Sequence, residues 1–286
     1  AVTDAERLAA LLAGPFYKMS GSGNDFVFFD ARVLGMPGAV PPERVAAICA
    51  RGPGVGADGL VFLGQPGPGE VSIVYHNSDG SRASLCGNAT LCTAALAVHL
   101  GAVPAERRFY IRTDAGVLPA WVAPGRAPAF ELAPVQGLTA DVPDLRSAGG
   151  EAQEHRIGYA VAGVPHLVVR VGDVGTVDLA AEAPAMRRAH PSRPEGANVN
   201  YVSRDADGTW RMRTFERGVE GETLACGTGA VACAAVLAAW GEAGDEVVLR
   251  TRSGYLLTVT RQPGSERPVL GGEGRLVYVG TLVESL

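Results

Sequence analysis

Lysine is nearly missing from this 286-residue chain: Lys18 is the single one, against 24 arginines. A pyridoxal-phosphate Schiff base could form only there, and nothing around Lys18 reads as a phosphate cradle, so lysine-dependent amino-acid chemistry is not expected. Apolar runs of the roughly 18 residues that a membrane span needs are also lacking. No Lys/Arg cluster offers a footing for nucleic acid or an acidic membrane, and the net charge of −5 points the same way. Thus neither a nucleic-acid partner nor a membrane is expected. The first 14 residues carry Asp4 and Glu6 and no basic run, which is not the pattern of a secretory leader. Cysteine is scarce and odd in number: Cys49, Cys86, Cys92, Cys226 and Cys233. Free thiols in a reducing cytoplasm are the expectation. Their spacings of five and six residues within each pair are too wide for a zinc site, so no metal is expected.

What the chain has is a long internal repeat. Leu85-Cys86-Gly87-Asn88-Ala89-Thr90 runs into Ala94-Ala95 and stops at Gly101. Ala225-Cys226-Gly227-Thr228-Gly229-Ala230 runs into Ala234-Ala235 and stops at Gly241, 140 residues further on. Gly56-Ala57-Asp58 and Gly196-Ala197-Asn198 keep the same offset. A period this long is not a solenoid. It predicts two similar halves related by a pseudo-twofold, each contributing one thiol.

Gly (38) and Pro (19) punctuate short β-type runs at 26–29, 59–63, 71–75, 167–171, 198–202 and 255–260. Helices are expected at 42–50 and after each Cys-Gly pair, with Gly101 and Gly241 as stops. The last two are apolar nearly all round and belong inside a core. Each half therefore reads as a curved, mostly antiparallel sheet around a central helix. The expected N-terminal half is 1–133, completed by a returning strand at 275–286; the C-terminal half is 134–274. The stretch Pro134–Gly150 is the natural boundary, and residues 1–14 form an appendage able to make a short amphipathic helix through Leu8, Leu11 and Leu12.

Cysteine at a helix start faces unsatisfied backbone N–H groups and about half a positive charge, which favours its thiolate. The following glycine lets an anion approach those N–H groups. One carboxylate held by two such helix ends would have its enediolate stabilised, and two thiols flanking one α-carbon could invert it, one as base and one as acid. Cys49, Cys92 and Cys233 read instead as small core residues. Upstream of Cys226, Arg217 offers a fork for a carboxylate and Glu216 an acceptor for an ammonium.

Gly23-Asn24-Asp25-Phe26-Val27, Gly54-Val55-Gly56-Ala57-Asp58-Gly59, Asn77-Ser78-Asp79-Gly80-Ser81 with Cys86-Gly87-Asn88, Pro165-His166, Asn198-Val199, and Glu216-Arg217-Gly218 with Cys226-Gly227-Thr228-Gly229 resemble, in order, the signature segments of the diaminopimelate epimerase family. The resemblance spans about 16–286. It implies an α/β fold of the α+β type: two pseudo-symmetric halves, each an antiparallel barrel-like sheet around a central helix, with the active site in the cleft between. It implies a cofactor-independent isomerase interconverting LL- and meso-diaminopimelate, on the route to lysine and peptidoglycan precursors. Cys86 and Cys226 would then be the acid/base pair, with His166 and Glu216 tuning the thiols. Gly87, Asn88, Gly227 and Thr228 would hold the reacting carboxylate. Asn77, Asn198, Glu216 and Arg217 would hold the distal amino-acid group, and Asn24 would line the site. A homodimer is the assembly expected, which the sequence itself leaves open. Departures from the family pattern are Val164 where an Asn is usual, Ala89 in place of a glycine, Ser20 and Ser22, and Glu220, which lengthens its loop by one. Val164 keeps open a racemase or epimerase of another amino acid on the same scaffold; a non-catalytic amino-acid-binding module is the reading from outside enzymology.

Overall fold

A computed structural model describes residues 2–142, 145, 156–188 and 195–283. In chain order the elements are α1 (Asp4–Ala13), β1 (Pro15–Gly21), β2 (Asn24–Asp30), α2 (Pro42–Cys49), β3 (Gly59–Gly67), β4 (Glu70–Asn77), β5 (Arg82–Ala83), α3 (Gly87–His99), β6 (Phe109–Thr113), β7 (Gly116–Trp121) and β8 (Ala129–Glu131). They continue with β9 (Gln136–Thr139), β10 (Arg156–Ala162), β11 (Val164–Arg170), α4 (Leu179–Arg188), β12 (Asn198–Arg204), β13 (Trp210–Glu216), β14 (Gly221–Thr223), α5 (Gly227–Ala239), β15 (Glu246–Arg250), β16 (Leu256–Arg261), β17 (Pro268–Gly272) and β18 (Arg275–Thr281). The chain divides into two compact units, Ala1–Phe130 with Gly272–Leu286, and Glu131–Gly271. Parts of two expected features, the boundary stretch (143–144 and 146–150) and the returning strand (284–286), lie outside the described residues.

In the first unit β1 pairs antiparallel with both β2 and β18, β3 with β4, β4 with β5, β6 with β7 and β7 with β8. Two pairings are parallel, β2 with β3 and β4 with β6. The second unit repeats the pattern. β10 pairs antiparallel with β9 and β11, β12 with β13, β13 with β14 and β15 with β16. Its parallel pairs are β11 with β12 and β13 with β15. Parallel neighbours need a long crossover. Helices α2 and α4 supply it for one pair in each unit, and α3 and α5 supply it for the other.

The central helices explain the curvature. Helix α3 packs on β1, β4, β6 and β18, and α5 on β9, β10, β11, β12, β15 and β16. A sheet touching one helix with so many strands must wrap it. Both helices are buried from their first residue through Ala97 and Leu237, apart from a few half-exposed positions. Burying Leu91, Leu96, Val236 and Leu237 contributes on the order of 1.5–3 kcal/mol each. Both end at a glycine in the left-handed region, Gly101 at φ +66° and Gly241 at φ +73°, where a side chain would be strained.

The amphipathic helix expected near the start forms as α1, with a Thr3–Glu6 capping box, and seats Leu8, Leu11 and Leu12 in the first unit's outer core, so the appendage is part of the packing. Helix α4 was not foreseen: Pro184 lies inside it and its sequence is alanine-rich with two arginines at the end. It begins from Asp178, whose side chain accepts the N–H of Ala181, and Leu179, Ala183 and Met186 bury its inner face.

Candidate active site

Cys86 and Cys226 are the N-cap residues of α3 and α5, at φ −134°, ψ 117° and φ −132°, ψ 107°. Both carbonyls accept the first helical hydrogen bond, from Thr90 and Ala230. Gly87 or Gly227 follows each extended N-cap; the Cys226 side chain caps its helix, whereas that of Cys86 makes no capping hydrogen bond. Cys86 is half-buried and Cys226 buried.

The residues around Cys226 are densely bonded. Its Sγ accepts from the Gly229 N–H at 3.3 Å and lies 3.6 Å from the Thr228 hydroxyl. The thiol also hydrogen-bonds the Glu216 carboxylate, whose Oε1 accepts from Thr223 Oγ1 at 2.7 Å. The helix start was expected to lower both thiols. For Cys226 the structure reverses that: burial pushes it well above the ordinary thiol range, and the Glu216 carboxylate adds to this, while Thr228 and Gly229 pull less strongly the other way. A helix end is worth about 0.3–1 kcal/mol, up to about 2 when partly buried, and desolvating a thiolate costs more.

His166, on β11, is wholly buried, and burial, then the Arg217 charge, hold its pKa at about 3. It does not bond the Cys226 sulfur. Its Nε2 meets Thr228 Oγ1 at 3.2 Å, so it reaches the thiol through a hydroxyl. Its Nδ1 meets Asn200 Nδ2 at 3.1 Å. Asn200 and Thr214 were absent from the expected set. The available signal was Asn198-Val199-Asn200, an amide on the buried face of a strand, which requires partners.

Asn198 is buried at the start of β12 and accepts the Arg217 N–H at 2.8 Å, fixing the backbone that carries the guanidinium. Arg217 donates to the Gly196 carbonyl at 3.4 Å, and among the described residues no acidic side chain pairs with it. The extra loop residue Glu220, at φ +54°, accepts from Gly218 N and is gripped by Arg187 of α4. The loop is thereby tied to the helix behind it.

In the first unit Asn88 is buried beside Gly87 in the opening turn of α3. Asn77 ends β4 and donates to Ser81 Oγ at 3.0 Å. Asn24 opens β2 with its Oδ1 buried and without a hydrogen-bond partner, an acceptor available to a ligand. Lys18 is committed: it pairs with Asp25 at 2.7 Å and donates to the Gly56 carbonyl. Cys49, Cys92 and Cys233 are buried and burial raises all three, Cys49 to about 11. No helix among the described residues is long and apolar enough to cross a membrane.

Comparison with known proteins places these residues in company. The family model for diaminopimelate epimerase matches residues 16–132 and 158–278. The diaminopimelate epimerase of Gemmatimonas aurantiaca is 46% identical over 279 residues, covering 93% of this chain and 98% of that protein. That of Aquifex aeolicus is 37% identical, covering 95% and 98%. Among solved structures, a hydroxyproline epimerase from Agrobacterium vitis aligns with a TM-score of 0.66 at 18% identity, covering 93% of this chain and 91% of that one.

Proposed function

The chain belongs to the diaminopimelate epimerase family, and from that premise we propose that it interconverts LL- and meso-diaminopimelate with Cys86 and Cys226 as the acid/base pair. It is an isomerase of the amino-acid epimerase type. The observation that carries the mechanism is the duplicated N-cap: two cysteines with matching backbone angles, each opening a buried helix.

The α-proton of an amino acid is a weak acid, so the carbanion must be stabilised as it forms. The N–H groups at Gly87, Asn88, Gly227 and Thr228 serve the reacting carboxylate, whose charge grows as it becomes an enediolate. One cysteine, as thiolate, takes the α-proton, and the other, as thiol, delivers its proton to the opposite face. The pair ends with the proton exchanged between sulfurs and the stereocentre inverted. Cys226 rests as the thiol, because burial and Glu216 hold it protonated. The forward turnover leaves Cys226 as the thiolate and Cys86 as the thiol, so in the reverse reaction Cys226 is the base and Cys86 the acid. Arg217 pairs with the distal carboxylate, and Glu216, Asn77 and Asn198 complete the distal group's partners, with Asn24 beside them. His166 acts behind Thr228. The reducing cytoplasm is the setting such thiols require. A homodimer is our assignment for the assembly: Val277, Tyr278 and Val279 of β18 are about half exposed, an apolar run that a second copy would cover.

A panel of amino acids tests the substrate. LL-diaminopimelate should be converted to the meso form with a kcat/KM well above that for any amino acid lacking a distal carboxylate. A better substrate without that group would overturn the assignment and leave the two-thiol chemistry standing.

A further inference from the structure

Behind Cys226 a chain of buried polar groups runs from β13 to the helix start, and its donors can be assigned by chemistry alone. The Leu167 carbonyl can only accept, and it lies 3.0 Å from one end of the Asn200 amide. That end is therefore the nitrogen, and the same nitrogen is 3.1 Å from His166 Nδ1. The oxygen end lies 2.9 Å from Thr214 Oγ1, which donates to it. His166 Nδ1 is consequently an acceptor and carries no proton. A neutral imidazole has one N–H, and burial keeps His166 neutral, so the proton sits on Nε2. It points at Thr228 Oγ1, 3.2 Å away. Thr228, accepting there, turns its own hydrogen toward the Cys226 sulfur at 3.6 Å.

We propose that Asn200 is a positioning residue for the epimerisation: it locks His166 as the Nε2–H tautomer and so makes Thr228 a donor to Cys226. The inference rests on Cys226 being a reacting thiol. Its consequence is that, when the proton leaves Cys226, the sulfur meets two donors already in place, the Thr228 hydroxyl and the Gly229 N–H. With the other tautomer, Nε2 would accept from Thr228 and turn that hydroxyl away. The packing is built around the amide. A Cβ at Gly229 would lie 2.4 Å from Asn200 Oδ1, so the glycine makes room for the amide beneath the first turn of α5.

The matching position in the first unit lacks the device. Strand registers align Phe28 with Val61 in one unit and Val168 with Asn200 in the other. They likewise align Val61 with Tyr75, and Asn200 with Thr214. Val61 and Tyr75 thus stand where Asn200 and Thr214 do, and Ala89 stands where Gly229 does. Where the amide is absent, the methyl is present.

The test is nitrogen NMR of the intact protein labelled with 15N-histidine, the His166 signals identified by their loss in His166→Gln. The unaltered protein should show His166 protonated at Nε2 and bare at Nδ1. A His166 protonated at Nδ1, or averaging between tautomers, would overturn the proposal without any variant. Asn200→Leu should release the tautomer and lower kcat about tenfold, the effect of one hydrogen bond to a charged group, with KM within twofold. Thr228→Val, which keeps its backbone N–H, should lower kcat similarly without moving the tautomer, and the double variant should be no worse than Thr228→Val alone. Additive losses, or wild-type kcat in Asn200→Leu, would sink the proposal. Should Cys226→Ala remain active while His166 keeps its Nε2 proton, the two-thiol reading fails and the tautomer assignment survives.

Discussion

The two helix starts share backbone angles to within about ten degrees, yet the groups behind them have little in common. Behind Cys226 stand His166, Asn200, Thr214 and Gly229, linked by hydrogen bonds and closed off by Glu216. The equivalent positions behind Cys86 are Phe26, Val61, Tyr75 and Ala89, with Phe26 and Tyr75 meeting edge to face at 6.1 Å. The repeat keeps the backbone device that presents a cysteine at the start of a buried helix. The backing decides which protonation state the thiol prefers, since burial and a neighbouring carboxylate outweigh a helix end. A reaction that passes one proton between two thiols uses such a difference directly: one member rests protonated.

The comparison breaks most severely if either thiol is removed. Cys86→Ala and Cys226→Ala should each lower kcat by roughly 10³-fold or more, since positioned acid–base groups contribute about 10²–10⁴. Initial rates in both directions check this, with circular dichroism confirming the fold. A single variant turning over near the wild-type rate would show that the two starts are not a pair.

Next in size is Arg217, whose guanidinium has no acidic partner among the described residues. Arg217→Met should raise KM for diaminopimelate about 100-fold, from the loss of a charge-assisted fork. Val164→Asn, opposite in direction, should lower KM by a smaller factor. Substrate titrations separate the two, and an unchanged KM in Arg217→Met would remove Arg217 from the distal site.

His166→Phe gives the second unit the residue of the first and changes how stability depends on acid. The unfolded histidine takes a proton near pH 6.5, whereas the folded one resists until about 3. Stability held by the neutral ring is fully present above pH 6.5 and is lost as pH falls toward 3, by up to about 1.4 kcal/mol per pH unit. The variant should lack that component, so its urea midpoint should fall less between pH 7 and 4. Parallel midpoints for the two proteins would contradict the burial argument.

The smallest effects come from exchanging methyls. Gly229→Ala should cost about 1–3 kcal/mol, because its Cβ collides with the Asn200 amide. Ala89→Gly should cost about 1 kcal/mol from helix propensity alone. Thermal unfolding distinguishes them, and equal costs would argue that the amide does not shape this turn.

The parts of the fold that depend on neighbouring residues were legible in the sequence. The Cys-Gly starts and the Gly101 and Gly241 stops follow from local backbone demands, and the 140-residue offset announced two halves. Helix α4 was hidden by Pro184 and by its lack of a clear apolar stripe, although the offset carries α2 onto 182–189. The parallel pairings were hidden because crossover direction is not written in any strand. The lowered thiol expected at Cys226 failed for a related reason: a helix start can be read locally, but burial and the approach of Glu216 belong to the folded chain. Asn200 meets His166 only because β11 and β12 pair in one register, bringing together residues 34 apart in sequence.

The most direct test of two thiols serving two faces is the fate of deuterium at low conversion. LL-diaminopimelate is incubated in deuterium oxide, and substrate and product are separated after a few per cent turnover. A base that removes the proton on one face, with a different acid delivering solvent-derived label on the other, predicts close to one deuterium in each meso product molecule and almost none in the recovered LL substrate. Equal deuterium in both pools, or product retaining the original proton, would mean that a single group serves both faces.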